Sequence, residues 1–218
     1  MVSKLLASPF KRGYKEVSWF LFSNNLPRFT SNNAKTYNIK AINFSLGEPG
    51  RAYNTECTSS YSSAFATLRS NNVVPVVASG NDGFSTGVSS PACTQGAVRV
   101  GAVYDSNYGR IAWKTCTDST TSADKITCFS NSGKLLTLLA PGSIITAGGV
   151  SESGTSQATP HVAGSFAVLR ADNVLPAETI DQTILRLQNT GKPIKDPRNN
   201  ITTSRIDLLA ATNTLTTN

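Results

Sequence analysis

GTSQATPHVAG, residues 154–164, sets a serine between small residues just ahead of an apolar run, FAVL (166–169). This pattern delivers a hydroxyl to the first turn of a buried helix. Backbone N–H groups in a first helical turn lack an intrahelical partner and carry partial positive charge. An oxyanion formed at Ser156 would be stabilised there. Gly154 lets the backbone approach closely before the helix starts. A serine at a helix start is also a common N-cap, so the stretch acquires meaning only with its surroundings.

Outward from this point, strand-like and helix-like segments alternate. IKAINFSL (39–46) reads as a strand ending at Gly47, and VVPVVAS (73–79) as a buried strand closed by the turn signal GNDG. AVRVGAV (97–103) and LLTLL (135–139) are two more strands. SSYSSAFATLRS (59–70) puts Tyr61, Phe65 and Leu68 at helical spacing. Further helices are predicted over 156–170, 177–189 and 204–212. Near-continuous apolar strands separated by helices indicate a parallel α/β sheet covered on both faces.

The chain has 218 residues, enough for one sizeable core. Its net charge of +7 is unevenly placed: residues 1–40 hold seven Lys/Arg and one Glu. The basicity therefore belongs to the N-terminal stretch, and no nucleic-acid-binding motif accompanies it. Neither nucleic acid nor a membrane is expected as a partner, since no run approaches the roughly 18 apolar residues of a membrane helix. The apolar stretch at 17–22 is too short for a signal-peptide core, so no export signal is readable. Residues 1–30 are basic, aromatic and without clear period, which sets them apart from a main unit at 31–218.

Cys57, Cys93, Cys116 and Cys128 form no close CxxC pair, and one histidine is present, which argues against zinc. An even count among polar loops suggests disulfides and an oxidising compartment. Of the three pairings, Cys57–Cys93 with Cys116–Cys128 is preferred, because the second bridge would close one local loop. Four unpaired thiols are the alternative.

Six motifs then occur in one order: NAKTYNIKAINFSLG (33–47), ASGND (78–82), SSPAC (89–93), FSNSG (129–133), LLAPG (138–142) and GTSQATPHVAG. Together they resemble the catalytic domain of the subtilisin-like serine proteases, over its C-terminal two-thirds. Residues 190–211 resemble the end of bacterial members. The resemblance implies a three-layer parallel sheet with helices on both faces, missing its N-terminal strands. It implies a secreted endopeptidase acting on polypeptides, with Ser156 as nucleophile and Asn81 as oxyanion-hole donor. Ser45, Leu46, Gly47, Ala78, Ser79, Gly80, Ala92 and Thr155 would then contact or shape the substrate cleft. The stretch GTSQA is not the GxSxG elbow of another hydrolase fold.

A serine protease also needs a base and an acid that orients it. In this family both precede the INFSLG-like strand, yet the 41 residues before Ile42 contain no Asp and no His. His161, five residues after Ser156, turns about 140° net around a helix and points to another face. The expectation is a truncated chain, inactive by itself, whose absent N-terminal half would be a natural partner. The alternative is a catalytically dead binding or regulatory relative. The family's calcium ligands lie mainly in the unmatched region, so no metal or other cofactor is assigned.

Overall fold

A computed structural model of the chain describes residues 4–7, 26–171 and 178–213. Seven strands build the central sheet, in the order β1 (Lys4–Ala7), β2 (Ile39–Phe44), β3 (Val74–Ala78), β4 (Val98–Val103), β7 (Leu138–Pro141), β11 (Thr202–Arg205) and β10 (Lys192–Lys195). Every neighbouring pair is parallel except the β10–β11 hairpin, which closes the far edge. Two small hairpins lie outside it: β5–β6 (Ile111–Ala112, Thr117–Asp118) and β8–β9 (Ile145–Ala147, Val150–Glu152). The second turns on Gly148–Gly149, both at positive φ, as a two-residue hairpin loop demands.

Successive strand side chains point to opposite faces, and here each face has its own core. On one side Ala41, Val76, Val100 and Leu138 meet Ala158, Val162 and Phe166 of α3 (Thr155–Leu169). On the other, Ile42, Phe44, Val77 and Leu139 meet Phe65 and Leu68 of α2 (Ser62–Ser70). Helix α4 (Ile180–Thr190) and helix α5 (Leu208–Asn213) join the α3 side through Leu187 and Ala211. Helix α1 covers 26–33. The result is the three-layer α/β arrangement that the apolar pattern predicts.

Several boundaries differ from the sequence reading. The strand expected at 135–139 forms at Leu138–Pro141, since Leu136 turns back through a hydrogen bond to Gly133. The helix expected at 204–212 starts only at Leu208, because 202–205 pair with β10 and β7. That hairpin hides in sequence: TTSR is polar although its strand lies between β7 and the edge strand β10. The helix expected from 177 starts at Ile180, capped by Thr179 and Gln182 in a reciprocal capping box; residue 177 itself lies outside the described residues. Most of the basic stretch 1–30 also lies outside them. Even so, β1 pairs with β2, so the sheet does not end at the INF strand. Both disulfides take the preferred pairing, Cys57–Cys93 and Cys116–Cys128.

Candidate active site

Ser156 stands half-buried in the first turn of α3. Its Oγ donates to the Ser45 carbonyl at 3.4 Å, and Ser45 Oγ donates back to the Ser156 carbonyl at 2.7 Å. The Ser156 carbonyl is available because Pro160, four residues on, has no N–H to offer it. Asn43 Nδ2 in turn donates to Ser45 Oγ at 3.0 Å. The end of β2 is thereby tied to the start of α3.

Asn81 approaches the same turn from the loop after β3. Its Oδ1 accepts from the Thr155 N–H and from Thr155 Oγ, each at 2.9 Å. A backbone N–H can only donate, so the amide is oriented with its oxygen on the helix and its NH2 left to donate elsewhere. The Thr155 hydroxyl fits this polarity, since it also accepts from the Gly80 N–H at 3.2 Å. Gly154 leaves room for these side chains. A Cβ there would come within 3.2 Å of Asn81 Nδ2 and 3.0 Å of Gln157 Oε1.

These groups open on a cleft of about 290 Å³. One lining segment is Leu46–Pro49, a second comprises Ala78, Gly80, Asn81 and Asp82 with Ser89, and Lys114, Thr115, Thr155 and Ser156 complete it. Of the residues expected at the cleft, Leu46, Gly47, Ala78, Gly80, Asn81, Thr155 and Ser156 line it directly. Ser45, Ser79 and Ala92 are not among the lining residues: Ser45 meets Ser156 as described, Ser79 and Ala92 are fully buried, and Ser79 Oγ donates to the Asn131 carbonyl at 2.9 Å. Glu48, Pro49, Asp82, Ser89, Lys114 and Thr115 are lining residues absent from the predicted set.

Asn131 was readable only as part of FSNSG, and it organises this loop. Fully buried, its Oδ1 accepts from the N–H groups of Asp82 and Phe84, both at 3.0 Å. Its Nδ2 reaches the Ser79 carbonyl, Asp82 Oδ2 and Ser89 Oγ at 3.0–3.2 Å. The segment bearing Lys114 and Thr115 has its own anchor. Trp113 Nε1 donates to Tyr104 Oη at 2.9 Å, which donates to buried Asp118 at 2.7 Å, and the Trp113 ring packs edge-on against Phe129. Burial and the Asp118 hydrogen bond push the Tyr104 phenol well up. Burial opposes ionisation of Asp118, but Lys125, the Cys128 N–H and Tyr104 hold its carboxyl below the usual range.

His161 is exposed, and its Nδ1 donates to the Gln157 carbonyl one turn back at 2.9 Å. Among the described residues no histidine or carboxylate hydrogen-bonds Ser156. Nor is any group of three or more His, Cys, Asp or Glu placed to hold a metal ion, so no described side-chain cluster is assigned to calcium.

Residues 23–201 match the Subtilase family of peptidases, S8. The chain belongs to that family. Alkaline protease 1 of Aspergillus clavatus is 34% identical over 159 residues, covering 69% of this chain and 34% of that protein. Subtilisin-like protease 2 of Trichophyton tonsurans is 33% identical over 183 residues, covering 79% of this chain and 37% of that protein. Both are fungal proteins. This subtilase chain thus spans about a third of the length of these curated relatives. Among solved structures, the patellamide maturation protease PatA superposes with a TM-score of 0.63 at 28% identity, over 88% of this chain and 68% of that one. The prenylagaramide maturation protease PagA gives 0.60 at 26%, over 88% and 67%.

Proposed function

We propose that this chain carries the nucleophile half of a serine-type endopeptidase site and is catalytically silent by itself. In this reading Ser156 Oγ attacks a peptide carbonyl, and the oxyanion takes hydrogen bonds from the Ser156 N–H and from Asn81 Nδ2. An acyl-enzyme on Ser156 is then released by water. Removal of one such oxyanion donor lowers kcat by about 10²–10³-fold. An extended polypeptide would lie along Ser45–Leu46–Gly47 as an added strand. Ala78 and Gly80 would shape the pocket for the residue at the cleaved bond, with Ser79 and Ala92 holding that wall from behind. The reading is carried by the orientation of Asn81, whose amide oxygen is taken by Thr155 while its NH2 is left to donate in the cleft that Ser156 also lines.

The missing part is the base. The Ser156 proton faces the Ser45 carbonyl, which cannot remove it, and His161 is turned onto its own helix. Loss of a triad base lowers kcat by about 10⁶-fold. We therefore assign the Asp and His to a separate or preceding segment, the natural partner of this chain. Secretion accords with the two disulfides. The second reading, a binding protein that retains the groove, is favoured by the same absence of a base.

The test is peptide hydrolysis by the purified chain, with and without co-expressed N-terminal sequence from a full-length relative. The expected result is no hydrolysis by the chain alone. With the partner, hydrolysis should be sensitive to phenylmethylsulfonyl fluoride and abolished by Ser156→Ala. Rapid inhibitor-sensitive hydrolysis by the chain alone would refute the silence, and a partner that folds with it yet restores nothing would favour the binding protein.

A further inference from the structure

Behind the Asn81 loop lie two further layers. The segment 128–132 runs beside the loop 80–84, with Asn131 N–H on the Gly80 carbonyl at 3.0 Å, Gly83 N–H on Phe129 at 2.8 Å and Ser132 N–H on Phe84 at 2.7 Å. Against the outer side of that segment sits the turn DPRNN (196–200) of the β10–β11 hairpin. Asp196 is 2% exposed and takes the Arg198 guanidinium at 2.7 Å, the Arg198 N–H at 2.9 Å and Ser132 Oγ at 2.6 Å. Arg198 Nη1 donates to the carbonyls of Cys128 and Ser130, at 3.1 and 3.0 Å. Asn199 Nδ2 bridges the Ser85 carbonyl, 2.7 Å, and Ser132 Oγ, 3.0 Å.

We propose that the Asp196–Arg198 pair is a positioning device for the cleft, setting segment 128–132 and, through Asn131, the loop that presents Asn81. Neither residue touches the cleft. The guanidinium is the right group for the task, because its planar fork serves both oxygens of the Asp196 carboxylate and two carbonyls at once, more acceptors than the three donors of an ammonium can meet. The next link is the Asn131 side chain, which carries the N–H groups of Asp82 and Phe84 directly after Asn81. Burial works against the charge on Asp196, but Arg198 and Ser132 hold its carboxyl below the usual range, so the Asp196 carboxylate is ionised at neutral pH. The significance for catalysis rests on the oxyanion role given to Asn81; the mechanical link does not.

Amide hydrogen exchange on the full chain tests that link without requiring activity. In Arg198→Lys, and in Arg198→Ala where it folds, the Asp82 and Phe84 amides should exchange faster by on the order of tenfold or more. The Val76 and Val100 amides in the sheet should keep their protection. Unchanged Asp82 and Phe84 exchange in Arg198→Lys would overturn the proposal. So would equal acceleration at Val76 and Val100, which would mean general loosening. Failure of peptide hydrolysis in the complementation test would remove Asn81's catalytic role and leave this result intact.

Discussion

Replacing Gly80 by alanine probes the wall of the cleft at one atom. Gly80 has φ +109°, where a side chain is strained, and its added Cβ would lie 2.2 Å from Asn131 Nδ2 and 2.4 Å from Ser89 Oγ. The backbone strain is worth about 1–3 kcal/mol, and forcing a methyl group into a filled space about 1–3 kcal/mol more. Asn131 cannot yield freely, since its amide also holds Ser79 and Asp82. The control is Gly50→Ala, with φ +80° and nothing within 4 Å of the added atom. It keeps a strain of about 1–2 kcal/mol without overlap. At roughly 2–4 °C per kcal/mol for a chain of this size, Gly80→Ala should lower Tm by roughly 5–20 °C, and Gly50→Ala by only a few degrees. Thermal unfolding followed by circular dichroism reads both. If the two variants melt together, the close approach of Asn131 to Gly80 is wrong, and with it the account of how the loop is held.

The disulfides should contribute unequally. Sequence separations of 36 and 12 give loop-closure contributions of about 3.8 kcal/mol for Cys57–Cys93 and about 2.8 kcal/mol for Cys116–Cys128. Urea unfolding of the two double-alanine variants measures this, and a loss below about 1 kcal/mol for either would contradict the pairing. Phe166→Ala should cost about 3–5 kcal/mol, because the ring is fully buried between α3 and the sheet; a loss below about 1 kcal/mol would place that ring outside the core. Asp118, Asp124 and Asp196 all have carboxyl pKa values lowered in the folded chain. Their stabilisation is present above the unfolded Asp value of about 3.9 and disappears as pH falls through the lower folded values. Asp118→Asn should flatten the fall in stability below about pH 4; an unchanged acid limb would remove Asp118 from that account.

The parts of the molecule legible in sequence were those with strong local signals. β2, β3 and β4 are apolar enough to read as buried strands, and α3 announces itself through GTSQATPHVAG. The cleft residues came from motif order, and most of them meet around Ser156. The illegible parts depend on distant partners. TTSR becomes a strand only because Lys192–Lys195 returns beside it. Asn131 looks like any loop asparagine until Ser79, Asp82, Phe84 and Ser89 close round its amide. The DPRNN turn entered the sequence reading only as part of 190–211, and the burial of Asp196 depends on Ser132, more than sixty residues away.

The paired hydrogen bonds between Ser45 and Ser156 close a span of 111 residues. Closing so long a loop costs entropy before any contact repays it, so this join belongs late in folding. The position of the Ser156 hydroxyl is therefore a product of tertiary assembly, set only when the end of β2 meets the start of α3. A nascent or partly unfolded chain carries the Ser156 hydroxyl without the cleft that surrounds it in the folded protein.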